Sequence, residues 1–229
     1  MKHSKRYKKI IIKEPMSSKT IAQLLPDLKK NCTTKFDESI DLSIQINNKQ
    51  KKNEINIRTA VTLPSGTGKK IKLAVVCEDD KASIAKDAGA DIVGGDDLID
   101  EIKNGKTDFE KLICTPSMMI KLSKLGKVLG PKGLMPNPKL GTVSDDLKNA
   151  VKNAKSGQVE IRNDKDGNIG VSIGKKSFSD DNLIKNFNAI LETLDKEKNN
   201  NNVKGNLIKN SFVTSTMGVS FKLKLEKAI

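Results

Sequence analysis

SKLGKVLGPKGLMPNPKLGTV, residues 123–143, is too rich in glycine and proline for a helix and too long for an ordinary connection. Gly126, Gly130, Gly133 and Gly141 are interleaved with Pro131, Pro136 and Pro138. Structureless connections longer than about a dozen residues are uncommon inside a compact domain and are usually functional or disordered. Disorder is disfavoured, because Leu125, Val128, Leu129, Leu134, Met135 and Leu140 give this stretch apolar anchors that a solvated linker lacks. The expectation is a packed, shaped loop between two helices, residues 117–125 and 144–155, the second capped by Ser144 with acids in its first turn.

Upstream of the loop, apolar strands at 71–77, 90–93 and 112–114 alternate with helical stretches at 81–88 and 98–103. Strands apolar throughout and separated by helices imply βαβ units around a parallel sheet covered on both faces. Further out the grammar changes to two-residue alternation. Ile40, Leu42, Ile44 and Ile46 predict a half-buried strand over 38–46, followed by a polar turn at 47–53 and a second strand at 54–63 in an antiparallel pair. A short amphipathic helix over 17–30, weakened by Pro26, precedes them. On the other side, Val159 and Ile161, then Ile169, Val171 and Ile173, predict two strands joined by a hairpin-type turn at 163–168 centred on Gly167. A helix over 179–195 follows, with Leu183, Ile184, Phe187, Ile190, Leu191 and Leu194 on one stripe. A polar loop at 196–204 and strands at 207–215 and 219–225 finish the chain. The economical arrangement is an α+β domain from both chain ends, residues 1–66 and 158–229, interrupted by an inserted α/β domain, 67–157. Three consecutive modules are the alternative reading.

The chain has 229 residues, a formal charge of +14 and no tryptophan, so its core is aliphatic. Such a field favours polyanions. The charge is uneven: residues 66–158 hold 16 Lys against 13 acids, whereas the flanks hold 26 basic residues against 15 acids. The flanks are therefore the expected seat of a polyanion, although codon bias accounts equally well for an excess of Lys and Asn. Only Arg6, Arg58 and Arg162 are arginines, so most of the charge acts as point-like phosphate attraction. Residues 1–13 carry six basic side chains and no acid, and read either as a solvated tail or as an arm lying on phosphates. Cys32, Cys77 and Cys114 are odd in number and unpaired in spacing, which points to a reducing compartment with neither a disulfide framework nor a zinc site. No apolar run approaches the roughly 20 residues that span a bilayer. The reading is cytoplasmic, with no membrane partner.

Catalysis is disfavoured. His3 is the one histidine, so no His-based triad or His metal site can form within a chain. Gly66, Thr67, Gly68 and Lys69 lack the spacing of a phosphate loop and read as a bend. The pairs Asp79-Asp80, Asp96-Asp97 and Asp180-Asp181 fall at predicted helix starts, where they favour the helix dipole. No cofactor is expected. In the flanks, Ser215, Thr216, Met217 and Gly218 form a tight turn that offers hydroxyls, backbone donors and close approach through glycine. As a bare motif it is an ordinary turn. Phe36 reads either as a core plug at a helix–strand junction or as an exposed contact.

Residues 126–141, GKVLGPKGLMPNPKLG, resemble the signature of the ribosomal protein L-one family of bacterial type. The resemblance runs over essentially residues 20–225 and is closest over 66–174. It implies the discontinuous design, an inserted Rossmann-like α/β domain, and a second domain movable about the two chain crossings near 64–70 and 155–158. It implies RNA contact by the Ser215-Thr216-Met217-Gly218 turn and by Phe36; Lys35 beside it is a weaker candidate that could neutralise phosphate. Weaker candidates are Lys165 and Gly167 in the turn at 163–168, where Asn163 and Asp166 depart from the family pattern, and Asn210 and Thr214 on the strand leading to Thr216. The implied function is a structural constituent of the large ribosomal subunit that binds large-subunit rRNA at the mobile stalk. The implied partners are that rRNA, exit-site tRNA whose release it assists, and its own operon mRNA, which it represses, the protein being a monomer within the ribosome.

Overall fold

The computed structural model describes residues 4–11, 19–47, 56–201, 203 and 205–225. Most of the turn read at 47–53, the start of the second strand, His3 and Lys204 lie outside them. The chain folds as two compact units, Met1–Gly68 with Val159–Ile229, and Lys69–Gln158.

In chain order the first unit begins with α1 (Lys5–Ile10), α2 (Ile21–Asn31), β1 (Ser39–Ile46) and β2 (Arg58–Thr62). The second holds β3 (Leu73–Val76), α3 (Asp79–Asp87), β4 (Ile92–Gly94), α4 (Asp96–Lys103), β5 (Lys111–Cys114), α5 (Pro116–Ser123), α6 (Gly126–Leu129) and α7 (Leu147–Lys155). The chain then forms β6 (Gln158–Arg162), β7 (Asn168–Lys175), α8 (Asp180–Asn200), β8 (Ile208–Ser215) and β9 (Phe221–Lys222). The mixed α/β and α+β class expected from the sequence is the one observed.

In the discontinuous unit an antiparallel sheet runs in the order β7-β1-β8-β9. The alternation of β1 buries Ile40, Leu42, Ile44 and Ile46 against Leu24, Leu25 and Leu28 of α2 and Leu183, Phe187, Ile190 and Leu194 of α8. Each such buried side chain contributes about 1.5–3 kcal/mol. The opposite face of the sheet exposes Ser43, Asn168 and Gly170, with Phe212 half-buried opposite Ser43. The hairpin expected between the first two strands does not form: β1 is central and pairs with β7 and β8, while β2 pairs with β6 in a separate two-stranded sheet. Alternation dictates which face of a strand is buried but not which strand lies beside it.

The inserted unit has a parallel sheet in the order β4-β3-β5. Leu73, Val75 and Ile113 pack against α3 and α7 residues including Ala85, Leu147 and Val151. Ala74, Val76 and Leu112 pack against Leu98, Ile102, Met118 and Leu122 from α4 and α5. Both faces are covered, which is why its strands read as unbroken apolar runs. The Gly/Pro stretch is a packed loop, with Leu125, Leu129 and Leu140 buried. It includes the short helical turn α6, despite Gly126 at its start. The Asn137 side-chain oxygen accepts from the Lys139 amide at 2.9 Å, and Gly141 closes the segment at φ 69°. Two further differences from expectation are local. The cap of α7 is Asp146, whose carboxylate accepts from the Asn149 amide at 3.2 Å, and Ser144 instead accepts from the Asp146 amide. Helix α8 runs on to Asn200, its extension started by the good helix formers Lys196, Glu197 and Lys198, so most of the expected polar loop is helical.

Candidate nucleic-acid interface

The end of β8 and the start of β1 bring two distant segments together. Ile40 pairs with Ser215, the Thr216 amide donates to the Ser39 carbonyl at 3.0 Å, and the Ser39 amide donates to the Thr216 hydroxyl at 3.0 Å. The turn at 215–218 therefore stands beside the loop at 33–38. Between them lies Glu38, fully buried: its carboxylate accepts from the Thr34 hydroxyl at 2.7 Å and from the Met217 amide at 3.1 Å. Burial by itself would raise the Glu38 carboxyl. Hydrogen bonds from the Thr34 hydroxyl, the Met217 amide and the Thr34 amide outweigh that and hold it below the usual glutamate range.

Lys35, Phe36, Thr216, Met217 and Gly218 are thus gathered on one rim. Phe36 is 53% exposed and Met217 48%, two of the few large apolar side chains left in solvent. Phe36 is no core plug. Loop and turn are braced from below as well. Asp37 accepts from the Ser177 amide and hydroxyl, and the Lys176 ammonium donates to the Cys32 carbonyl at 2.6 Å.

Other sequence candidates are placed differently. Ser215 is 2% exposed and points into the core side of the sheet, so its side chain does not share the rim with Thr216. A Cβ on Gly218 would come within 2.2 Å of the Ser215 Oγ, so a side chain there would first have to turn that hydroxyl aside. The Thr216 hydroxyl is committed within the protein, accepting from the Ser39 amide and donating to its carbonyl. Thr214 lies on the open face of the sheet, opposite Asp41, with its hydroxyl donating to the Ser215 carbonyl. Lys165, Gly167 and Asn210 are at the other end of that sheet, roughly 20 Å away along β1 at about 3.4 Å per residue. There Gly167 is buried at φ 82° and its carbonyl accepts from the Ile46 amide, while Asn210 donates to the Gln45 side chain at 2.9 Å. Bonds from the Asn168 amide and side chain hold the Asp164 carboxyl below the usual range and fix that turn.

Sequence reasoning overlooked Glu38, Thr34 and Arg6. The Arg6 guanidinium donates to the Met217 carbonyl at 2.6 Å and to the Thr33 hydroxyl at 3.1 Å, seating α1 against the turn. Its being the one arginine in a lysine-rich arm was the available signal, since the planar fork suits two fixed acceptors. Glu38 had none, because a glutamate at a strand start looks like any solvated charge until burial is known. Among the described residues no group of three His, Cys, Asp or Glu could hold a metal ion, and no helix is long and apolar enough to cross a membrane.

Comparison with known proteins gives this rim its context. A sequence profile described as the ribosomal protein L1p/L10e family matches residues 28–219. The chain belongs to that family. It is 72% identical to the large ribosomal subunit protein uL1 of Pelagibacter ubique (strain HTCC1062) over 227 residues, covering 99% of each chain. It is 44% identical over 212 residues to the protein of that name from Rickettsia akari (strain Hartford), covering 93% of this chain and 88% of the relative. The counterpart in Rickettsia prowazekii (strain Madrid E) is 45% identical over 216 residues, 93% of this chain and 90% of the relative. Membership in the L1p/L10e family makes this a structural protein of the large ribosomal subunit, not an enzyme, and places it in the cytoplasm as part of the ribosome.

Proposed function

We propose that the discontinuous unit of this ribosomal protein binds folded large-subunit rRNA at the mobile stalk, and that the rim formed by the loop at 33–38 and the turn at 215–218 is its specific contact. The observation that carries the reading is the pairing of Phe36 and Met217, exposed on two segments that Glu38 ties together from opposite ends of the chain. Exposed apolar surface on a charged protein marks an interaction site. The flat Phe36 ring suits stacking of an unstacked base, and the flexible thioether of Met217 can pack beside it; unstacked bases are what tell folded RNA from a regular duplex. The surrounding lysines, which give residues 1–68 and 159–229 most of the net charge, add the salt-sensitive phosphate attraction.

Two finer roles belong to the same proposal. An mRNA segment imitating the rRNA site would occupy the same rim, so the protein would repress its own operon when rRNA is scarce. A stalk carrying the inserted unit beside the tRNA exit site would assist release of deacylated tRNA. The test is a salt series of binding to a folded stalk fragment of large-subunit rRNA, beside an unrelated duplex of equal length. Tight binding to the fragment that survives moderate salt supports the reading. Equal, salt-labile binding to both RNAs leaves a basic protein without a specific site and sinks it.

A further inference from the structure

We infer that Glu38 is the positioning residue of the RNA-binding rim: it sets the spacing and orientation of Phe36 against Met217 without touching RNA itself. The inference rests on the reading of the rim as the RNA contact. Glu38 is 0% exposed and is the one carboxylate among the buried polar side chains of the described residues. Its two oxygens face two segments. Oε1 accepts from the Thr34 hydroxyl at 2.7 Å and the Thr34 amide at 3.4 Å, on the loop that carries Lys35 and Phe36. Oε2 accepts from the Met217 amide at 3.1 Å, on the turn that carries Thr216 and Met217.

Stability does not explain the choice of residue. A buried charge is costly to desolvate, and well-packed apolar side chains commonly serve a core as well or better. What a glutamate supplies here that an apolar side chain does not is a rigid two-ended acceptor of fixed length. The Met217 amide that it holds belongs to a residue whose carbonyl is taken by Arg6, so both polar groups of that peptide unit's residue are anchored and the side chain is presented outward. Loop and turn come from positions 179 residues apart, and no local turn chemistry could set their distance. Ser39 and Thr216 align the strand ends, but it is Glu38 that reaches past them to Thr34, two residues before Phe36, and to Met217 itself.

The test compares full-length wild type, Glu38→Ala and Glu38→Gln for binding to the folded stalk fragment and to the control duplex. Binding is read at a temperature where melting curves show every protein folded, with hydrogen exchange of the Met217 amide measured beside it. Glu38→Ala is expected to lose about tenfold on the stalk fragment, the scale of a hydrogen-bonded link to a charged group, while keeping its affinity for the duplex. Its Met217 amide should exchange faster. Glu38→Gln should recover most of the loss, because its oxygen can accept from Met217 and its NH2 can donate to the Thr34 hydroxyl. A folded Glu38→Ala that binds the fragment as tightly as wild type overturns the inference, and so does a Glu38→Gln as weak as the alanine variant. If Glu38→Ala does not fold, Thr34→Val takes its place: it deletes one hydroxyl and spares the Met217 bond. Several-fold weaker binding to the fragment supports the positioning role, and unchanged binding overturns it. A wild type that does not distinguish fragment from duplex instead defeats the reading of the rim, and the inference falls with it.

Discussion

Thr216 and Met217 are neighbours on the same exposed turn and do different work. The Thr216 hydroxyl closes both polar groups of Ser39, so Thr216→Val should cost about 1 kcal/mol of stability as well as weakening RNA binding. Met217 turns its side chain to solvent, and Met217→Asp should weaken binding to the stalk fragment severalfold with the urea midpoint unchanged. If both variants merely lower the midpoint and bind normally when folded, the turn is structural only. Glu38 also gives stability a pH dependence. Its carboxyl is held below the usual range in the folded protein, so its contribution is complete above the unfolded value of about 4.3 and is lost as pH falls through the lower native value. Urea midpoints measured downward from pH 7 should therefore fall more steeply below about pH 5 for wild type than for Glu38→Gln. Parallel curves would mean that the bonds from Thr34 and Met217 do not favour the ionised form.

Helix α8 is the element that holds the discontinuous unit together. Besides its apolar stripe it carries Asn186, fully buried, whose amide nitrogen donates to the Gly66 carbonyl at 3.0 Å and the Ile173 carbonyl at 2.8 Å. Its oxygen accepts from the Ser65 amide at 3.0 Å. One side chain thus satisfies three backbone groups, two of them on the segment where the chain leaves this unit. Asn186→Leu keeps the volume and orphans all three, and should destabilise by about 3 kcal/mol, read as a shift in urea midpoint at constant slope. A loss below about 1 kcal/mol would mean that water replaces the lost bonds.

At the scale of the molecule, the two units differ in charge as well as in grammar. Lys69–Gln158 carries 16 Lys against 13 acids, leaving most of the +14 on the other unit. Strands β2 and β6, which flank the insertion, pair with each other, so a short Gly/Ser linker from Gly68 to Val159 should leave the remaining chain foldable. That shortened protein is expected to bind the stalk fragment within about threefold of the full chain, since the proposed rim and most of the lysines remain. Aggregation of the shortened protein, or loss of binding by a soluble one, would count against an independent RNA-binding unit.

The sequence alone determined the face each strand buries, the covered parallel sheet of the insertion and the packed Gly/Pro loop. These follow from period-two alternation, unbroken apolar runs and left-handed glycines, all of which act over a few residues. It left strand partners open, because Ile40 to Ile46 would bury the same face beside β2 as beside β7 and β8. Only the tertiary structure put Ser215 in the core and Thr216 outside, bound Arg6 to Met217, and buried Glu38 between loop and turn. Each of these depends on groups far apart in the chain, and a carboxylate's environment, not its identity, decides whether it is a solvated charge or the pin between two segments.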